Sequence, residues 1–253
     1  MKIKAIAYFV GILTISGSGI LLASSGHDHW GYTGHTGPDH WGELQQEFAA
    51  CKSGTRQSPI DINFNQLVSA NLGDIQFHYQ STTPEILNNG HTVQVNYAQG
   101  SEITVGERQF ELAQFHFHIP SENTVNGKAY EMEMHLVHKN PQGELAVVGV
   151  FFQQGDENAE LDKLWRNLPE KVGEKKMLSD VSLSALDLLP QNRAYAHFNG
   201  SLTTPPCSEG VNWFVIREPL QASKEQISRF SSIIGNNARP VQELNNRFVL
   251  SKK

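Results

Sequence analysis

The residues best suited to chemistry lie between Ala113 and His138, in the stretch AQFHFHIPSENTVNGKAYEMEMHLVH. Side chains of an extended chain alternate between faces, so Gln114, His116 and His118 share one face while Phe115 and Phe117 share the other. A Pro/Ser/Asn/Gly-rich connection follows. A second alternating run then puts Glu131, Glu133, His135 and Val137 on one face, with Met132, Met134 and Leu136 behind them. If the two runs are neighbouring antiparallel strands, His135 meets the His116/His118 pair. Three neutral imidazoles converging from rigid strands make a tetrahedral zinc site with its fourth position open, the arrangement of a catalytic rather than a structural zinc. A lone His-x-His on a strand is more often an ordinary surface or core pair, and the company of this one sets it apart. Gln114 stands two residues before His116 and Glu133 two before His135, each on the face of its histidine. A metal-bound imidazole needs an acceptor on its other ring nitrogen to fix tautomer and orientation, and that gives a buried amide and a buried carboxylate a purpose.

The elements around these residues read mainly as short strands. From Ile60 to Val105, β-type runs alternate with turn signals at Asn71-Leu-Gly73, Asn88-Asn-Gly90 and Gln99-Gly100. Residues 145–152, LAVVGVFF, form a continuous apolar run that suits a strand buried on both faces. Two packing helices are expected. One is marked by Leu161, Leu164, Trp165 and Leu168 with Pro169 as its stop. The other opens on the capping pair Ser223 and Gln226 and continues through Ile227, Phe230, Ile233 and Ile234. The chain has no internal repeat and no low-complexity linker. At 253 residues, with 39% hydrophobic and 18% charged, it is long enough for one sizeable core, and a mainly β architecture of this length can be one domain.

The N-terminus reads as an export signal over residues 1–25: Lys2 and Lys4, then an apolar run from Ala5 to Ala23, then the small residues Ala23, Ser24 and Ser25 at which to cut. The competing reading is an uncleaved membrane anchor, weakened by Gly11, Ser16, Gly17, Ser18 and Gly19. The mature domain is then 26–253, in the periplasm or secreted, with no stable membrane span. With 20 basic and 26 acidic residues the net charge is −6, and removal of Lys2 and Lys4 leaves 18 basic residues and a charge of −8. No basic patch or Arg-rich run is present, which argues against nucleic acid as a partner. The two cysteines, Cys51 and Cys207, are a disulfide candidate in an oxidising compartment, against the alternative of two unpaired buried thiols. His27, Asp28, His29, His35 and His40 look like a metal-binding tract, but Trp30, Tyr32 and Trp41 among Gly and Pro read better as an irregular arm packed by its aromatics.

QFHFH, then SEN-T, then E-x-HLVH resemble the α-class carbonic anhydrases, specifically the exported bacterial type. The resemblance extends over nearly the whole chain beyond the N-terminal segment. HWGY and GPDHWGEL fall within 29–44, RQSPIDI at 56–62, LNNGHTVQV at 87–95, LAVVGVFF at 145–152, GSLTTPPCSEGVNW at 200–213 and ARPVQELNNR at 238–247. It implies a single domain with a large twisted, mostly antiparallel central sheet and a few short peripheral helices. It also implies reversible hydration of CO2 to bicarbonate and a proton, by zinc-hydroxide attack with a histidine proton shuttle. His116, His118 and His135 would hold Zn2+, with Gln114, Glu133 and the backbone carbonyl of Asn237 as their partners. Thr203 and Glu122 match the pair that orients the attacking hydroxide, and His91 matches the shuttle, a role its ordinary pKa near 6.5 suits. Val137, Val147, Leu202 and Trp213 match the apolar wall for CO2. Thr204 would touch bicarbonate or the ordered water, and Tyr32 and Gln94 would line the cavity. Relatives of the bacterial type carry a disulfide where Cys51 and Cys207 stand. Many are dimers, so a homodimer is open to this chain, though no residue pattern specifies its interface. Asn123 departs from vertebrate relatives, which have histidine after the matching glutamate; that puts tuning in doubt rather than activity.

A second function class stays in view: a catalytically silent binding module of the same family. Such relatives lack one or more of the zinc histidines, whereas all three stand here beside Thr203, Glu122 and His91.

Overall fold

Strand alternation is written most plainly in the run that carries the histidines, and the architecture grows outward from it. The computed structural model describes residues 29–252; the expected signal segment lies outside them. Ten strands follow one another across a central sheet: β1 (Val68–Ala70), β2 (Glu85–Asn88), β3 (Val93–Asn96), β4 (Arg108–His118), β5 (Met132–Lys139), β6 (Leu145–Gln154), β7 (Lys175–Met177), β8 (Tyr195–Ser201), β9 (Glu209–Ala222) and β10 (Leu250–Lys252). Their spatial order is β7-β2-β3-β4-β5-β6-β9-β8-β10-β1, and the paired segments Gln76–His78 and Glu102–Val105 attach to β4. Pairing is antiparallel apart from β6–β9 and β10–β1.

Register explains the site. β4 and β5 pair His118 with Glu133 and His135 with His116, and β3 adds Gln94 opposite His116. The ladder between β4 and β5 is irregular near Val137/His138, where Val137 faces Gln114 and His138 faces Leu112. Ala113 is the residue skipped. One extra residue reverses the parity of a strand, so Phe110 and Leu112 are buried before it and Phe115 and Phe117 after it. The rephasing lets β4 present Gln114, His116 and His118 together on the opposite face.

That second set of apolar residues joins Met132, Met134 and Leu136 of β5 and Val148, Val150 and Phe152 of β6 in the larger core. Both expected helices lie on this side. The helix Ala159–Trp165 is capped by Asn158, whose side chain accepts from the Glu160 and Leu161 amides. It ends before Leu168, which stays buried in the turn that follows. The helix Lys224–Ile234 has the full capping box of Ser223 and Gln226 and stops at Gly235, with φ +71°. Trp165 and Phe230 stack at 5.6 Å between the two helices. LAVVGVFF lies within β6 and is buried along nearly all its length. Among the described residues, no helix is long and apolar enough to cross a membrane.

On the other face, a second cluster contains Ile60, Ile62, Val147, Phe151, Phe198 and Trp213. The arm adds a third, in which Trp41 and Phe48 surround the disulfide between Cys51 and Cys207. The bridge spans 156 residues of sequence, enough to stabilise the fold by up to about 5 kcal/mol through chain entropy.

Candidate metal centre

One ring nitrogen from each of His116, His118 and His135 lies within 4.8 Å of the other two. The far sides of two rings are hydrogen-bonded, and the third faces a carboxylate. His116 Nδ1 is 2.9 Å from Gln114 Oε1, and His118 Nδ1 is 2.9 Å from the Asn237 carbonyl. His135 Nε2 lies 3.1 Å from Glu133 Oε1, in contact but without the alignment of a hydrogen bond. A carbonyl can only accept, so His118 carries its proton on Nδ1 and turns a bare Nε2 to the centre. That Nε2 is buried and has no hydrogen-bond partner; Glu122 Oε2, 3.4 Å away, is equally unpartnered. Buried polar atoms rarely go unsatisfied, so a bare Nε2 turned to the point where the three rings converge fits a metal ligand.

Electrostatics agree. Burial holds His116 and His135 well below the ordinary imidazole range, with neighbouring histidines adding to it. Burial brings His118 down to about 4 against the opposing pull of its bond to Asn237. All three are therefore neutral, the form that ligates. A three-imidazole donor set fits Zn2+.

Glu133 is held from several sides: Asn123 donates from its side chain to Oε1 at 2.7 Å and from its backbone to Oε2 at 2.8 Å, and the Glu122 amide adds 2.9 Å to Oε2. Asn123 thus occupies its unusual position by fixing the carboxylate that fixes His135. Burial raises Glu133 to about 7, with the Asn123 bonds acting against it. Gly149 leaves room for this: a Cβ there would come within 2.9 Å of Glu133 Oε1.

Glu122 is fully enclosed, and burial raises it to about 8; the Arg239 amide and the Thr203 hydroxyl are the main opposing influences. The Arg239 N–H donates to Oε1 at 2.9 Å. Thr203 reaches the same carboxyl in a looser contact, since Oε2 lacks a partner at hydrogen-bonding geometry. Beside the histidines, Val137 pairs with Val147 and Val147 with Trp213, and Leu202 packs on the same cluster. The Trp213 ring meets His135 edge-on at 4.8 Å. Thr204 follows Thr203 in the loop and is half-buried.

His91 sits at the rim, after a turn in which Gly90 takes φ +89°. Its ring stacks on Trp30 at 3.6 Å and on His29 at 4.9 Å. Tyr32 approaches edge-on at 6.4 Å, and the arm packs as a cluster of Trp30, Tyr32 and Trp41. In this position burial, and after it His29, lowers His91 to about 4. Burial raises the Tyr32 hydroxyl well above its ordinary range. A cavity of about 640 Å3 opens here, lined in part by His29, Trp30, Tyr32 and His91. Gln94 donates to Asn96 Oδ1 at 2.6 Å in the strand beside His116.

Two residues escape a reading of the sequence for roles. Asn123 was visible only as a departure. Arg239 stands inside the ARPVQELNNR motif, but no local pattern announces that it is 2% exposed and bonded to residues almost 190 positions away.

Comparison with known proteins adds the family. The family described as "Eukaryotic-type carbonic anhydrase" matches residues 36–253. A carbonic anhydrase of Nostoc is 45% identical over 88% of this chain and 85% of its own length. One from Klebsiella pneumoniae is 47% identical over 88% of this chain and 90% of its own. Among solved structures, the α-carbonic anhydrase of Thermovibrio ammonificans, bound to the inhibitor sulfanilamide, superposes with a TM-score of 0.86 at 49% identity, covering 88% of this chain and 98% of that one. The chain belongs to the α-type carbonic anhydrase family, lyases that interconvert CO2 and bicarbonate.

Proposed function

We propose that this chain is an exported zinc carbonic anhydrase in which His116, His118 and His135 hold the metal and His91 moves the proton. The observation that carries the reading is a trio of neutral histidines, His118 and His135 buried and His116 partly so, with one nitrogen of each converging and His118 Nε2 left bare at the centre. Zinc in this donor set supplies a Lewis acid that makes water a nucleophile near neutral pH, an effect for which carbonic anhydrases are the standard example.

The chain does the rest. Burial alone would leave Glu122 largely protonated at neutral pH, and a cation held by the histidines beside it would favour the ionised form. Ionised, Glu122 can only accept, so the Thr203 hydroxyl gives its one proton there and presents lone pairs to the attacking water. Thr203 then accepts from the water and aims the water's own lone pair at the substrate. CO2 is small and apolar, and the wall of Val137, Val147, Leu202 and Trp213 receives it while excluding bulk water. Addition of water to CO2 gives bicarbonate and one proton; Thr204 would contact bicarbonate or an ordered water. The proton passes by way of water to His91. Burial against Trp30 lowers His91 to about 4, so in this position the ring readily passes the proton on to solvent. Gln94 and Tyr32 line the route between.

Export is supported by the Cys51–Cys207 disulfide, which needs an oxidising compartment, and by the bacterial relatives. Residues 1–25 serve as the signal and 26–253 as the mature domain; the N-terminal sequence of protein recovered from outside the cytoplasm checks the cut. The test of function is stopped-flow CO2 hydration by the zinc-loaded protein beside His116→Ala and His91→Ala. Hydration lost with the first and dependent on added buffer with the second is expected. A wild type no faster than buffer would instead favour a silent binding module.

A further inference from the structure

Arg239 is an unusual buried cation. Among the described residues its guanidinium makes no ion pair, acting on Glu122 only through space: Nη1 donates to Gln57 Oε1 at 2.9 Å and to the Ser58 carbonyl at 2.8 Å, and Nη2 donates to the Cys51 carbonyl at 2.9 Å. Nε has no partner, and the group lies 5.7 Å from the centre of the Trp41 ring. A buried charge held by neutral acceptors is a costly way to stabilise a fold, and an apolar residue of similar volume commonly does as well. Its value must lie in what it connects.

Both ends of the connection are in the site. Asn237 accepts from His118 through its carbonyl and donates from Nδ2 to the His91 carbonyl at 2.9 Å, and two residues on, the Arg239 amide donates to Glu122. The residues that the guanidinium grips are tied to the loop bearing Thr203. Cys51 is bridged to Cys207, and Gln57 Nε2 donates to the Cys207 carbonyl at 3.1 Å. Ser58 and Ser201 exchange two bonds, Ser58 N–H to Ser201 Oγ at 2.9 Å and Ser201 N–H to Ser58 Oγ at 3.1 Å. Cys207 in turn donates from its amide to the Thr204 carbonyl at 2.9 Å. Glu122 thus hangs from one side of Arg239 and Thr203 from the other.

We propose that the Arg239 side chain is a positioning residue for hydration, the clamp that sets how the Thr203 hydroxyl meets the Glu122 carboxyl. The inference rests on the hydration reading above. Its test is a double-mutant cycle on kcat/KM for CO2, with zinc content and melting temperature measured on each variant. Arg239→Met keeps an unbranched stem as far as the level of Nε and has no donors. It is expected to fold, bind one zinc and lose about 10- to 100-fold in kcat/KM, the scale of a small misplacement at a reacting centre. In a Glu122→Gln background, where the Thr203 contact is already spoiled, the same change costs less than about threefold. Arg239→Lys keeps the charge but cannot fork across three acceptors, and restores only part of the loss. If Arg239→Met does not fold, Gln57→Leu breaks the link to Cys207 and should show the same collapse of effect on Glu122→Gln. A folded Arg239→Met within about twofold of wild type overturns the proposal, as does a loss that multiplies in full onto Glu122→Gln. Loss of zinc from the folded variant also overturns it, by placing the effect at the metal. An inactive zinc-loaded wild type would sink the hydration reading itself; an active one with an indifferent Arg239 sinks only the clamp.

Discussion

His135 and His138 stand three residues apart on β5 and face opposite sides of the same sheet. His138 lies among the core residues behind, 0% exposed, with Nδ1 3.1 Å from the Ala146 carbonyl and Nε2 2.7 Å from the Tyr79 hydroxyl. The carbonyl only accepts, so His138 donates from Nδ1 and accepts from Tyr79 at Nε2: a closed histidine. Burial lowers it to about 4, as it lowers His118 on the site face. Depth and pKa therefore do not separate the two. The number of ring nitrogens with a partner does: both for His138, one for His118, whose Nε2 has none. His138, with both nitrogens bonded, is structural; His118, with Nδ1 bonded and Nε2 turned bare to the centre, is placed to ligate.

The sharpest way to break this comparison is to remove one histidine from each face. His118→Ala should drop hydration to the buffer background and zinc content towards zero. His138→Gln should keep both, the rate within about threefold, while costing about 1–3 kcal/mol of stability for the polar atoms left unmatched. Equal losses of zinc from the two variants would erase the distinction. Thr203→Val comes next: it leaves the histidines alone, so zinc stays, and kcat/KM should fall about 10²- to 10³-fold, as when one aligned polar contact to a reacting group is lost.

Acid gives a smaller, thermodynamic version. Folding holds His138 near 4 against 6.5 for the unfolded chain, so between those values the unfolded state binds the extra proton. The stability at stake is complete above pH 6.5 and is lost as pH falls towards 4, about 3 kcal/mol in all. Buried Glu122 and Glu133, raised in the folded state, act in the opposite direction in the metal-free protein. The quantity to measure is accordingly the difference between wild type and His138→Gln in denaturant unfolding at pH 7 and pH 4. A difference that does not change with pH would contradict the closed, neutral histidine. The smallest pair trims partners instead of rings. Gln114→Ala should weaken zinc affinity about 10- to 100-fold, whereas Tyr79→Phe should cost about 1 kcal/mol of stability and leave zinc affinity unchanged.

Much of this was legible in the sequence, and the reason is period. Alternation alone put Gln114, His116 and His118 on one face and Glu133 and His135 beside them, because ladder register preserves what a two-residue repeat encodes. It also held a message not drawn from it, since Met132, Met134, Leu136 and His138 share a parity that places His138 in the core. The helix at Ser223 was readable because a capping box is local. Interactions closed over long distances were not readable. The guanidinium of Arg239 reaches Cys51, and the Asn237 carbonyl holds His118 across more than 100 residues; only family resemblance offered the second. The rephasing at Ala113 and the stacking of His91 between arm residues depend on tertiary packing that no local pattern carries.

At one centre, metal binding and catalysis are the same event. The direct test is to strip the protein of metal and titrate zinc back while following CO2 hydration by stopped flow. The account predicts a rate that rises linearly with zinc and levels off at one ion per chain. A rate indifferent to zinc, or one that never leaves the buffer background, would contradict it.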